Sequence, residues 1–169
     1  MIRTATPSDA ALVAALAERT FREAFSAQNP PDEMDRHCRE HFGEAIQMEE
    51  IAAADRLTLL LEPQGRPARF AQLRWAEPPG CVAGAAPGEV QRFYLLQEFH
   101  GTGLAAALMT ACLAALRTRG SDVAWLGVWE ENPRAIAFYR KEGFAEVGRK
   151  VFMVGTDPQR DLVMVRPLV

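Results

Sequence analysis

One stretch restricts the fold more than any other. EVQRFYLL (Glu89–Leu96) reads as a strand. The glycines Gly101 and Gly103 of GTGLAAALM follow, then an apolar helical run ending at Gly120, then the strand-like VAWLGVW (Val123–Trp129). Leu104, Leu108, Cys112 and Leu116 form one helical ridge that must be buried on a sheet. A strand, helix and strand in this order make a right-handed crossover between parallel strands. A second helical unit follows at once: Asn132 suits a cap, Pro133 the first helical position and Gly143 the stop.

The flanking segments extend this frame. IRTAT opens as a strand. Thr6, Pro7 and Asp9 then start a helix running to Phe25, with Leu12, Leu16, Val13, Ala17, Phe21 and Phe25 on its apolar face. NPP (Asn29–Pro31) breaks the chain. Helices are expected over 32–42 and 44–54, and strands over 56–62 and 68–77 about the turn-forming PQGRP. FAEVGRKVFMV (Phe144–Val154) and DLVMVRPLV (Asp161–Val169) close as strands. No repeat or long linker divides residues 1–169. The expected architecture is one α/β domain with a mixed sheet of about seven strands, helices on its faces.

Composition narrows the function classes. A net charge of −3, with no basic stripe, gives no case for nucleic acid. No run approaches the roughly 20 apolar residues of a membrane helix, and MIRTATPSDA lacks a signal-peptide core. Cys38, Cys81 and Cys112 are odd in number and widely spaced, which argues against a disulfide framework and for a reduced, cytoplasmic setting.

Glycines ahead of a helix N-terminus suit a phosphate, because the first N–H groups are unpaired and carry partial positive charge. GTGLAA satisfies the dinucleotide pattern G-x-G-x-x-G/A, but QEFH separates strand from glycine and no acidic residue stands at the ribose spacing. A P-loop fails for want of Gly-Lys-Ser/Thr. The bland alternative is a turn that packs helix on sheet.

WLGVWEENPRAIAFYRKEGF (Trp125–Phe144) decides among these. Together with the glycine turn, it resembles the GCN5-related N-acetyltransferases (GNAT). The match is most specific over residues 89–144. The resemblance implies the acyl-CoA N-acyltransferase fold, acetyl-CoA as cosubstrate, no metal, and a small-molecule amine as acceptor. The family's Q/R-x-x-G-x-G/A pyrophosphate motif falls on His100, Gly101, Thr102, Gly103, Leu104 and Ala105, with His100 in place of Gln or Arg. Amides from Gly101 to Ala106 are expected to carry the phosphates. Phe93, Tyr94 and Leu95 match the strand that pairs with pantetheine, Asn132 the cofactor-contacting asparagine, and Tyr139 the tyrosine that protonates the leaving thiolate. The tail containing Phe152, Gly155, Gln159, Asp161, Leu162 and Met164 resembles bacterial PaiA-type polyamine acetyltransferases, which implies spermidine or spermine as acceptor. The family is compatible with a homodimer, which no residue of the sequence shows.

Direct attack on a thioester requires a neutral amine. With an alkylamine pKa near 10.4, deprotonation at pH 7 costs about 4 to 5 kcal/mol. Desolvation or a general base can lower this cost, and Glu89 is a candidate base, set against an exposed strand-end carboxylate. Peptide-directed members often carry a strand glutamate where this chain has Gly127, which argues against a peptide acceptor. Asp32, Glu33, Asp35, Glu40, Glu44, Glu49 and Glu50 make the early helices acidic, either to attract a polyamine or as a solvated face. Three other readings stand beside these: acetylation of a protein or peptide amine or of another small amine, a non-catalytic acetyl-CoA-binding module, and a zinc hydrolase through the H-x-x-E-H string of His37, Glu40 and His41.

Overall fold

The computed structural model describes residues 1–65, 67, 69–95 and 102–168. The elements are β1 (Ile2–Thr4), a 3-10 turn at Pro7–Asp9, α1 (Ala10–Phe25), α2 (Pro31–His41), α3 (Glu44–Ala52), β2 (Arg56–Leu61), β3 (Arg69–Arg74) and β4 (Pro87–Leu95). They continue with α4 (Leu104–Thr118), β5 (Val123–Trp129), α5 (Pro133–Lys141), β6 (Ala145–Val154) and β7 (Asp157–Pro167). The seven strands form one mixed sheet in the order β1-β2-β3-β4-β5-β7-β6. Every pairing is antiparallel except β4 with β5, the two strands joined by the α4 crossover.

The helices divide between the faces. Val13, Ala17, Phe21 and Phe25 of α1, with Met34 and Cys38 of α2, pack on Leu60, Phe70 and Val154. On the opposite face Leu108, Met109, Cys112 and Leu116 of α4 and Ile136 of α5 pack on Leu59, Ala71, Leu73, Val90 and Leu126. Alternation along the strands produces this division, since neighbouring residues point to opposite faces. Each fully buried aliphatic side chain contributes about 1.5 to 3 kcal/mol.

α3 is held to the sheet by polar contacts. Arg92 of β4 donates to Glu50 (2.5 and 3.3 Å), Gln72 (3.0 Å) and Gln47 (3.4 Å). Arg56 of β2 donates to Glu50 as well, at 2.8 Å, and to Gln91 at 3.0 Å. Four elements are thus tied through one carboxylate.

Two of the boundaries that differ from expectation have a visible cause. A 3-10 turn precedes α1, because Asp9 accepts from the Thr6 N–H (2.8 Å) and tightens the first turn. The last strand starts at Asp157 rather than Asp161, because Gly155 takes φ +61° and Val154 pairs directly with Asp157. β7 then runs between β5 and β6, so its residues 157–160 extend the ladder beside β6.

Candidate active site

β4 and β5 pair only over Pro87–Val123, Gly88–Ala124 and Glu89–Trp125. Past Glu89 the strands part, β4 continuing to Leu95 and β5 to Trp129. The sheet is therefore split along half its depth. The gap leaves facing N–H and C=O groups of two strands for a ligand to meet. A cleft of about 680 Å³ opens here, walled by Glu89, Phe93, Tyr94, Gly103, Ala105, Gly127, Asn132 and Tyr139, among others.

The α4 N-terminus forms one end of the cleft. Gly103 caps it with φ +78°, a left-handed conformation that favours glycine. The N–H groups of Leu104, Ala105 and Ala106 lie in the first turn, where no intrahelical acceptor reaches them. Thr102 belongs to the same turn, while His100 and Gly101 lie outside the described residues. The described part of the expected phosphate motif thus meets the cleft at Gly103 and Ala105.

α5 supplies the next wall. Asn132 caps it, its side-chain oxygen accepting from Ala135 N at 3.0 Å, with Pro133 at the first helical position. Two turns on, Tyr139 is 8% exposed, packed edge-on against Phe93, Phe138 and Phe144. It still borders the cleft, and no described residue hydrogen-bonds its hydroxyl. Burial holds that hydroxyl well above its ordinary pKa, so it is protonated at neutral pH. Tyr94 on β4 is pushed up to about 12, also by burial.

Glu89 is 2% exposed, not the exposed strand-end carboxylate weighed against the base role. Its cross-strand partner is Arg74, whose guanidinium lies 2.7 Å away; Lys150 of β6 stands at 3.9 Å. Both cations face the cleft with it. The buried charge is possible because the hairpin register places Arg74 directly opposite.

None of the seven acidic residues of the early helices lines the cleft. Glu50 is occupied by Arg92 and Arg56, Asp35 pairs with Arg22 at 2.8 Å, and Glu33 accepts from Thr156 N and Oγ1 at the β6–β7 turn. Among the described residues, the acids that border the cleft are Glu23, Glu89, Glu131 and Asp161. Asp161, on β7, is 6% exposed; burial pushes its carboxyl up to about 6, opposed by the nearby Lys150 ammonium. Its place in the cleft was not legible earlier, because only the β5–β7 register (Trp129 opposite Asp161) brings it there.

Arg69, on β3, also borders the cleft. It is 1% exposed, and its Nε and Nη1 have no hydrogen-bond partner among the described residues. Burial pulls its pKa down to about 10.

The H-x-x-E-H string does not assemble a ligand set. His37 stacks flat on Phe21 (centroids 4.2 Å apart, planes at 7°), and its Nδ1 has no hydrogen-bond partner among the described residues. No group of three His, Cys, Asp or Glu able to hold a metal occurs among the described residues.

Known proteins match this arrangement. The sequence profile of the acetyltransferase (GNAT) family covers residues 14–144. An uncharacterized N-acetyltransferase of Mycobacterium tuberculosis is 35% identical over 162 residues, spanning 96% of this chain and 99% of the relative. Another from Lactobacillus delbrueckii subsp. lactis is 28% identical over 155 residues, 92% of this chain and 90% of its own. Among solved structures, the PaiA N-acetyltransferase of Thermoplasma acidophilum in complex with coenzyme A superposes with TM-score 0.78 at 20% identity, covering 99% and 98% of the two chains. The chain belongs to the GNAT family and is an acetyl-CoA-dependent N-acetyltransferase. Among the described residues, no helix is long and apolar enough to cross a membrane.

Proposed function

We propose that the enzyme transfers acetyl from acetyl-CoA to a primary amine of a small, cationic molecule, with polyamines such as spermidine and spermine as the substrate class. The carrying observation is the split between β4 and β5, bordered by Tyr139 and Asn132 on one side and by Glu23, Glu131 and Asp161 among its acids. Phe93–Leu95 provides an open strand edge for the pantetheine amides. The α4 N-terminus, with the amides about Gly103, suits the pyrophosphate. His100 and Gly101 belong to the same proposal by their place in the motif.

Several observations support a polycationic acceptor. Glu23, Glu131 and Asp161 can attract and orient ammonium groups, although Arg69, Arg74, Arg134 and Lys150 line the same cleft. Gly127 presents no side chain where a peptide-directed enzyme often carries its glutamate. The resemblance of the tail containing Phe152, Gly155, Gln159 and Asp161 to PaiA-type enzymes points the same way. Chemically, holding amine and thioester together removes most of the entropic barrier, and Tyr139 returns a proton to the departing sulfur.

An amine panel read by CoA release tests this. Spermidine and spermine are expected to exceed a lysine peptide by at least tenfold in kcat/KM. Good turnover of another amine with none of either polyamine would sink the substrate class. Tyr139→Phe is expected to lower kcat about 100-fold with CoA affinity unchanged. An unaltered kcat would remove Tyr139 as general acid.

A further inference from the structure

We infer that Asp161 is the general base of this enzyme, taking the proton of the incoming ammonium from the face of the sheet opposite Tyr139; this rests on the acetyl-transfer reading above.

Trp129, opposite Asp161, packs on Phe25 of α1 at 5.4 Å, so Asp161 shares the face covered by α1 and α2. Tyr139 belongs to the core on the other face, with α4 and α5. Both border the same gap. A thioester lying in the split would thus have an acid on its thiol side and a carboxylate on the side of the incoming amine.

Gly127 fixes the second point. A Cβ built there would stand 2.9 Å from Asp161 Oδ2, 3.0 Å from Lys150 Nζ and 2.5 Å from Lys150 Cε. The side-chain space of that β5 position is therefore already filled from β6 and β7. The Asp161 carboxylate occupies the place a β5 glutamate would claim.

Comparison with Glu89 decides between the acids. Glu89 is held by Arg74 at 2.7 Å, and Lys150 turns to it at 3.9 Å. Its lone pairs are engaged by cations. Asp161 receives no hydrogen bond and no ion pair from a described residue, although Lys150 is its cross-strand neighbour. The other titratable or charged groups bordering the cleft are Arg69 and Arg74 on β3, Tyr94 on β4, Arg134 and Tyr139 on α5, Glu23 on α1 and Glu131 after β5. A carboxyl pushed up to about 6 is ionised at neutral pH and remains basic enough to accept a proton.

The ammonium gives one proton to the Asp161 carboxylate, and the freed lone pair forms the N–C bond while the carbonyl π pair moves to oxygen. On collapse the C–S bond breaks with its electrons on sulfur, which takes the Tyr139 proton. The nitrogen loses its second proton, which restores Tyr139, and Asp161 releases its proton to solvent.

The test is the pH profile of kcat/KM for wild type and Asp161→Asn on the best amine of the panel. The wild type is expected to show an ascending limb near pH 6. Asp161→Asn is expected to lose about 100-fold in kcat at pH 7, with its rate climbing towards the pKa of the amine itself. CoA affinity by calorimetry should stay within twofold, an already neutral amine of low pKa should lose less than tenfold, and Asp161→Glu should recover part of the rate. Wild-type kcat and an unchanged limb in Asp161→Asn overturn the assignment while the acetyl-transfer reading stands; a fall in CoA affinity that matches the fall in kcat overturns it also. If Asp161→Asn does not fold, the wild type decides alone. A limb fixed near pH 6 for amines of different pKa supports an enzyme-borne base, and a limb that moves with the amine refutes it. A wild type that releases no CoA with any amine overturns both readings.

Discussion

Two buried arginines on neighbouring strands have opposite surroundings. Arg92 on β4 is 8% exposed and donates to Glu50, Gln72 and Gln47. Arg69 on β3 is 1% exposed, and its Nε and Nη1 meet no acceptor among the described residues. The first lies where α3 meets the sheet, the second against the cleft. Arg92 comes with its counter-charge, and so does Glu89 at the cleft, held by Arg74; the Arg69 Nε and Nη1 meet no acceptor among the described residues. An unpaired buried guanidinium is destabilising, since desolvation is offset by nothing. Asp161 repeats the pattern with opposite sign.

The largest effect should come from breaking the satisfied network. Glu50→Ala leaves Arg92 and Arg56 without their shared carboxylate and is expected to cost about 3 to 5 kcal/mol in urea unfolding. A loss under about 1 kcal/mol would erase the contrast. Arg69→Met should act in the reverse direction, stabilising the ligand-free protein by about 1 to 4 kcal/mol. Each 1 kcal/mol raises Tm by about 2 to 4 °C in a chain of this length. A lower Tm would show that Arg69 is better accommodated than its contacts suggest.

The smallest effect is a slope. Burial pulls His37 down to about 4 from an ordinary 6.5. Between these values the unfolded chain binds a proton that the native state refuses, so stability is lost as pH falls from 6.5 towards 4. Asp161, pushed up to about 6, works oppositely: the native state holds the extra proton, and stability declines as pH rises towards 6. His37→Phe should flatten the acid loss, by at most about 1.4 kcal/mol per pH unit, as read from urea midpoints. Equal slopes in wild type and variant would show that His37 titrates normally.

Local chemistry was legible in the sequence. The Asn132 cap, the Gly103 turn and the α4 ridge each depend on residues within a few positions of one another, and each stands as expected. Pairings between distant residues were not. Glu89 looked exposed because nothing in a strand-end glutamate announces Arg74, 15 residues earlier and directly opposite. The acidic early helices could be read as an acceptor site or as a solvated face, because charge density was visible and its partners were not. Glu50 is committed to Arg92, 42 positions on. Asp161 stood inside a recognisable tail, but its meaning came from β7 running between β5 and β6, an order that alternation along a single strand does not specify.

The split sheet also bears on how long the molecule survives. Two strand edges facing a gap are open to other chains, and they lie between the halves of the sheet that hold α4 and α5 in place. An acyl donor bridging those edges would act as a missing strand. Native protein would then gain RT ln(1 + [L]/Kd), about 2.7 kcal/mol at a hundredfold excess over Kd. Turnover of the polypeptide would follow the supply of its cosubstrate: starved of the donor, the enzyme would open and be degraded sooner.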